Sequence, residues 1–111
     1  WPAPVTAILP ARRGLAPHLA PGGSVAVRVP AYRELRSLIR CLGEPVVSTS
    51  VNISGCRPVT RIADARRRFP GLEAFISRRG RQSAFPSTIV DFRFETPRLV
   101  RAGAYPWAPL E

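Results

Sequence analysis

The sequence predicts an α/β or α+β domain, a sheet layered with helices. Three observations point there. Short β-branched and apolar runs recur at residues 4–9, 24–29 and 87–94, two of them alternating strictly in polarity. Leu35, Leu38, Ile39 and Leu42 fall at helical spacing between those runs. The chain has 111 residues, 45% apolar and 22% charged, a size and composition that suit one folded domain.

Taken in order, Pro4-Val5-Thr6-Ala7-Ile8-Leu9 is the first expected strand, closed by Pro10 because proline cannot donate to a ladder. Residues 10–23 are rich in proline and glycine and carry the lone His18; they read as a loop with a solvated histidine. Residues 24–29 form the next strand, with Val25, Val27 and Val29 on one face and Ser24, Ala26 and Arg28 on the other. The helix through Leu42 is stopped by Gly43 and Pro45. A further strand is expected to run from Pro45 into residues 48–55, STSVNISG. Thr60 is placed to cap a second helix, with Asp64 in its first turn and Ile62, Ala65 and Phe69 on its apolar face. Residues 72–76 fit a helix end or a strand, and residues 77–86 read as a basic loop. In residues 87–94, Thr88, Val90, Phe92 and Phe94 oppose Ile89, Asp91 and Arg93. Residues 98–101 give a last short strand, and the proline-rich tail, residues 104–111, is expected to be loose.

Charge narrows the class of partner. The net charge is +10, from 17 basic residues that are all arginine against seven acids. Arginine's planar fork of donors suits phosphate and carboxylate, so an anionic partner is expected; codon bias toward arginine and ordinary solvated faces are the alternative. Cys41 and Cys56 have neither metal-ligand nor CxxC spacing and are expected as reduced thiols of a cytoplasmic protein. No stretch has the length of a membrane span and no signal peptide is visible. The sequon Asn52-Ile53-Ser54 is therefore taken as accidental. The chain has no methionine and opens on Trp1-Pro2, from which a piece of a longer protein is expected.

Small hydroxyls gather at the ends of apolar runs: Ser24, the residues 48–54, and Ser87-Thr88, with Arg28, Arg57 and Arg101 close in sequence. Strand ends of open α/β sheets are where ligands bind, and hydroxyls, backbone N–H groups and Gly55 could accept an anion. Arg28, opposite three valines, needs an anionic partner; a ligand would serve, and so would Asp91 or Glu34 in a purely structural pair. Equally, Ser, Asn and Gly clusters are often turns bonded to their own backbone. No catalytic triad, metal site, Walker loop or paired-carboxylate system is visible, so any chemistry would rest on positioning and charge stabilisation.

Five stretches occur in one order: Trp1-Pro2-Ala3-Pro4-Val5-Thr6, Ser24-Val25-Ala26-Val27-Arg28-Val29-Pro30, Ser48-Thr49-Ser50-Val51-Asn52-Ile53-Ser54-Gly55, Pro86-Ser87-Thr88-Ile89-Val90-Asp91 and Leu99-Val100-Arg101-Ala102-Gly103. Together they resemble the YrdC-like threonylcarbamoyl-AMP synthases over residues 1–103. The resemblance implies a YrdC-like twisted open mixed sheet with flanking helices, of which this chain would be the C-terminal portion with the N-terminal half missing. It implies that L-threonine, bicarbonate and ATP, with magnesium, yield threonylcarbamoyl-adenylate and pyrophosphate. A partner enzyme would then transfer the threonylcarbamoyl group to tRNA. Position by position, the resemblance gives Arg28, Ser48 and Ser87 to threonine. It gives Ser24, Ser50, Asn52, Pro58, Arg101 and Thr6 to ATP. Ala3 and Val51 stand where the family usually has Gly and Ala, and a Lys-Arg-Pro motif of the family's first half has no counterpart here. Little activity is therefore expected of these residues alone. Three other readings compete: a non-catalytic module binding double-stranded RNA or tRNA, the carbamoyl-transfer domain of a hydrogenase maturation protein, and a truncated, inert remnant.

Overall fold

A computed structural model describes residues 1–76 and 85–108. The chain forms two compact units, one from Trp1–Glu44 with Ser83–Glu111 and the other from Pro45–Gln82. The first holds a four-stranded mixed sheet in the order β2-β1-β3-β4, built from β1 (Val5–Pro10), β2 (Ser24–Val27), β3 (Thr88–Asp91) and β4 (Arg98–Arg101). β1 runs antiparallel to β2 and parallel to β3, and β4 runs antiparallel to β3. The α/β class expected from the sequence is the class observed.

The core lies where β1 and β3 meet. Ala7 pairs with Val90 in register, and Val90 and Thr88 are fully buried. Thr88 can be buried because its hydroxyl donates to Tyr105 O at 2.6 Å and accepts from Tyr105 N–H at 3.0 Å, so its polar atom is satisfied. The same pair of bonds fixes the segment after β4, which is therefore not loose at its start. Ala104 N–H donates to Pro86 O at 2.8 Å. Trp107 meets Phe92 edge to face, with centroids 5.8 Å apart and planes at 88°, a favoured aromatic geometry.

Helix α1 (Arg33–Leu42) has Glu34 in its first turn and Arg40 in its last, both favourable to the helix dipole. It ends at Gly43, whose φ of 74° is a left-handed conformation that glycine adopts freely. Arg36 Nη1 donates to Pro30 O at 2.9 Å and Ala31 O at 2.8 Å, tying the helix to the chain that precedes it. Its Leu35, Leu38 and Leu42 are exposed among the described residues.

The second unit departs from expectation in three places. No strand forms at residues 45–50; Val47 is 76% exposed, and a β-prone run without a neighbouring ladder has nothing to pair with. The second helix, α2 (Ile62–Arg68), is capped by Arg61 and not by Thr60. The Arg61 carbonyl accepts from the Asp64 and Ala65 N–H groups at 3.1 and 3.0 Å. Residues 72–76 adopt neither helix nor strand, and most of the expected basic loop, residues 77–84, lies outside the described residues. In the first unit, the strand expected to reach Phe94 stops at Asp91. There the Asp91 carboxylate accepts the Arg93 backbone N–H at 3.0 Å, a side-chain bond two residues on that turns the chain out of the ladder.

Candidate functional site

Register decides which residues share a face. Thr6 pairs with Ile89, Pro10 with Ser24, Ile8 with Ala26, and Ile89 with Arg101. Thr6 and Ser24 thus lie on one face of the sheet, away from Ala7 and Val90; on β4 a register shift opposite Ile89 and Val90 interrupts the alternation, so Arg101 is placed by its hydrogen bonds. Ser87, just before β3, reaches Thr6 through its hydroxyl, and Arg28 follows the last residue of β2.

Three of these residues touch. Thr6 Oγ1 and Ser87 Oγ lie 2.9 Å apart. Arg101 donates from Nη2 and Nε to the Ser87 carbonyl at 2.7 and 3.1 Å, and from Nη2 to Ser87 Oγ at 3.3 Å. This cluster joins residues far apart in sequence, and the ladder holds it: Thr88 N–H donates to Pro4 O at 2.9 Å, which fixes Ser87 beside β1. Gly103 has a matching role. A Cβ there would lie 2.4 Å from Pro86 O and 2.5 Å from Thr88 N, so only glycine lets the chain after β4 pass against the Ser87 backbone.

Arg28 is exposed and makes no hydrogen bond or ion pair among the described residues. Its structural alternative with Asp91 is closed, because Asp91 belongs to Arg93. That guanidinium grips the buried carboxylate from Nε at 2.9 and 3.2 Å and from Nη2 at 2.6 Å. The hydrogen bonds from Arg93 hold the Asp91 carboxyl below its usual range, against the opposing effect of burial. Glu34 makes no ion pair among the described residues either. Ser24 is placed by a weak 3.4 Å bond to Pro21 O.

In the second unit, the hydroxyl-rich stretch is a closed loop. Asn52 Nδ2 donates to Ile53 O at 3.1 Å and Cys56 O at 3.2 Å, and Ser50 Oγ donates to Asn52 Oδ1. Val59 N–H donates to Val51 O at 2.7 Å, and Gly55 has φ of 79°. Asn52 is thus engaged in building its own turn. Ser48 is exposed and unbonded among the described residues. Pro58 lines a hollow of about 320 Å³ with Arg57, Val59, Thr60, Asp64, Arg67 and Arg68; Arg67 is paired with Asp64. The sequence reading missed Arg67 and Arg68 as lining residues, and their only signal was the Arg66-Arg67-Arg68 run.

Cys41 and Cys56 are free and exposed. Among the described residues no group of three or more His, Cys, Asp or Glu could hold a metal, and no helix is long and apolar enough to cross a membrane. Among the described residues of the first unit, two hydroxyls and one guanidinium converge at Ser87, groups that donate hydrogen bonds to anions.

Residues 1–103 match the Sua5/YciO/YrdC family model, described as telomere recombination. A threonylcarbamoyl-AMP synthase of Thiobacillus denitrificans is 41% identical over 103 residues, covering 92% of this chain and 54% of that protein. One from Idiomarina loihiensis is 46% identical over 70 residues, covering 62% and 38%. The structure of Sua5 from P. abyssi in complex with L-threonine superimposes with a TM-score of 0.84 at 31% identity, covering 96% of this chain and 32% of that one. The chain spans about half the length, or less, of the curated relatives it matches.

Proposed function

The chain belongs to the Sua5/YciO/YrdC family, and on that premise we propose that the full-length protein is a threonylcarbamoyl-AMP synthase. Its reaction would join L-threonine, bicarbonate and ATP into threonylcarbamoyl-adenylate and pyrophosphate, for transfer to tRNA by a second enzyme in the cytoplasm. One observation carries the reading. Thr6, Ser87 and Arg101, which the family resemblance gives to the ligands, meet in the first unit, and Arg28 makes no ion pair with a described acid.

In this reading Arg28 receives the threonine carboxylate, a charge-assisted bond that suits a guanidinium, and Ser87 offers its hydroxyl; Ser48 is assigned to the same substrate. Arg101, Ser24, Ser50, Asn52 and Pro58 are assigned to ATP. Such a transfer needs aligned groups and neutralised phosphate charge more than a strong base. The described residues offer magnesium no cage, so the ion would travel on the phosphate oxygens of ATP, as it commonly does. The 111 residues by themselves would turn over little.

Pyrophosphate release by the full-length protein tests the assignment. It should require ATP, threonine and bicarbonate together. Release that ignores threonine, or none at any substrate level, refutes it. RNA binding that persists without ATP and falls steeply with salt would instead favour the non-catalytic reading.

A further inference from the structure

We propose that Thr6 is a positioning residue that holds the Ser87 hydroxyl as a hydrogen-bond donor toward the amino-acid substrate, and does not itself bind nucleotide. The inference rests on the reading of Ser87 as a threonine ligand.

A serine hydroxyl has one proton and two lone pairs, whereas a guanidinium only donates and a carboxylate only accepts. The 3.3 Å contact from Arg101 Nη2 therefore occupies one lone pair of Ser87. Thr6 Oγ1, at 2.9 Å, takes either the second lone pair or the proton. If it took the proton, Ser87 would face its ligand as an acceptor and repel a carboxylate. Ser87 can serve a carboxylate only when Thr6 donates to it.

The scaffold is suited to enforce that choice. Thr6 sits on β1, which is paired on both sides, and its branched side chain has few rotamers. The Ser87 backbone is clamped by two bonds from Arg101 to its carbonyl, at 2.7 and 3.1 Å. Both partners of the Ser87 hydroxyl are thus fixed, and its remaining proton points where neither of them lies. Sequence alone would not separate Thr6 from residues that touch ATP, because the contact with Ser87 spans 81 positions.

The test is a double-mutant cycle in the full-length protein, with threonine and ATP affinities from calorimetry and KM values from pyrophosphate release. Thr6→Val should weaken threonine roughly five- to tenfold, the scale of one hydrogen bond, and leave ATP within about twofold. Thr6→Ser should restore threonine binding. In a Ser87→Ala background Thr6→Val should add nothing. If Thr6→Val lowers the melting temperature, Thr6→Ala replaces it in the same cycle. Equal losses for both ligands, additive effects in the cycle, or unchanged threonine binding overturn the role of Thr6 alone. Absence of threonine binding in the wild type sinks the functional reading and this role with it.

Discussion

The two units hold their polar residues by opposite means. In the sheet unit, Thr6, Ser87 and Arg101 meet across 81 and 14 positions of sequence. In the loop unit, Ser50, Asn52 and Cys56 bond across two and four positions. A ladder positions the first set, and a turn positions the second. The difference teaches that rows of small hydroxyls in a sequence can be two different objects. One is a cluster assembled by tertiary structure from distant residues. The other is a loop in which Ser50 and Asn52 bond within their own turn.

The strongest way to break the contrast is at Gly103. Gly103→Ala puts a methyl group into the Pro86–Thr88 backbone, which cannot swing aside as a side chain would. The expected loss is about 3 kcal/mol, the upper end of ordinary overpacking, read as a lower denaturant midpoint. A loss below about 0.5 kcal/mol would mean the sheet unit is not clamped at Ser87 as described.

Next comes Arg28→Ala. Losing a charged hydrogen-bond partner, worth about 1.5–3 kcal/mol, should raise the KM for threonine roughly ten- to hundredfold, with little change in stability because the side chain has no described partner. A fall in melting temperature without any change in KM would make Arg28 structural.

Asn52→Ala sharpens the other side of the comparison. Its bonds are local and exposed, so the expected cost is about 1 kcal/mol. Amide exchange should quicken at Cys56 and Val59 while Thr88 and Phe92 keep their protection. Equal quickening in both units would show that the loop and the sheet open together.

The last test reads the shape of the acid limb of stability. The Asp91 carboxyl is held below its ordinary range by Arg93, so its contribution to stability is present above the unfolded carboxyl's pKa. That contribution is lost as pH falls through the lower folded value. Asp91→Asn should flatten the acid limb of a stability–pH profile. An unchanged limb would assign acid sensitivity to other carboxylates.

The sequence made the sheet strands legible because alternation at Ser24 to Val27 and Thr88 to Asp91 is a local signal. Helix α1 was legible for the same reason, with its stop written in Gly43. What local patterns could not show is where partners are absent or distant. Val46-Val47 has strand chemistry, but a strand needs a neighbour, and residues 45–50 have none among the described residues. Phe92 and Phe94 continue the alternation, yet Asp91 captures the Arg93 N–H and bends the chain away. The segment at Tyr105 looked loose because its anchor, Thr88, lies 17 positions earlier. For the site, residue types pointed to an anion-binding face, and the family resemblance singled out Arg28, Ser87 and Arg101. That Thr6 and Arg101 both converge on Ser87 required the register.

The parallel pairing of β1 with β3 also bears on how the molecule is made. Val5 lies against Thr88, so the middle of the sheet closes only after nearly the whole intervening chain has left the ribosome. Long-range parallel contacts pay their loop-closure entropy before they gain anything, which slows folding. The β1–β2 pair must wait with one flank of β1 bare, and chaperone dependence during synthesis should be greatest in that interval.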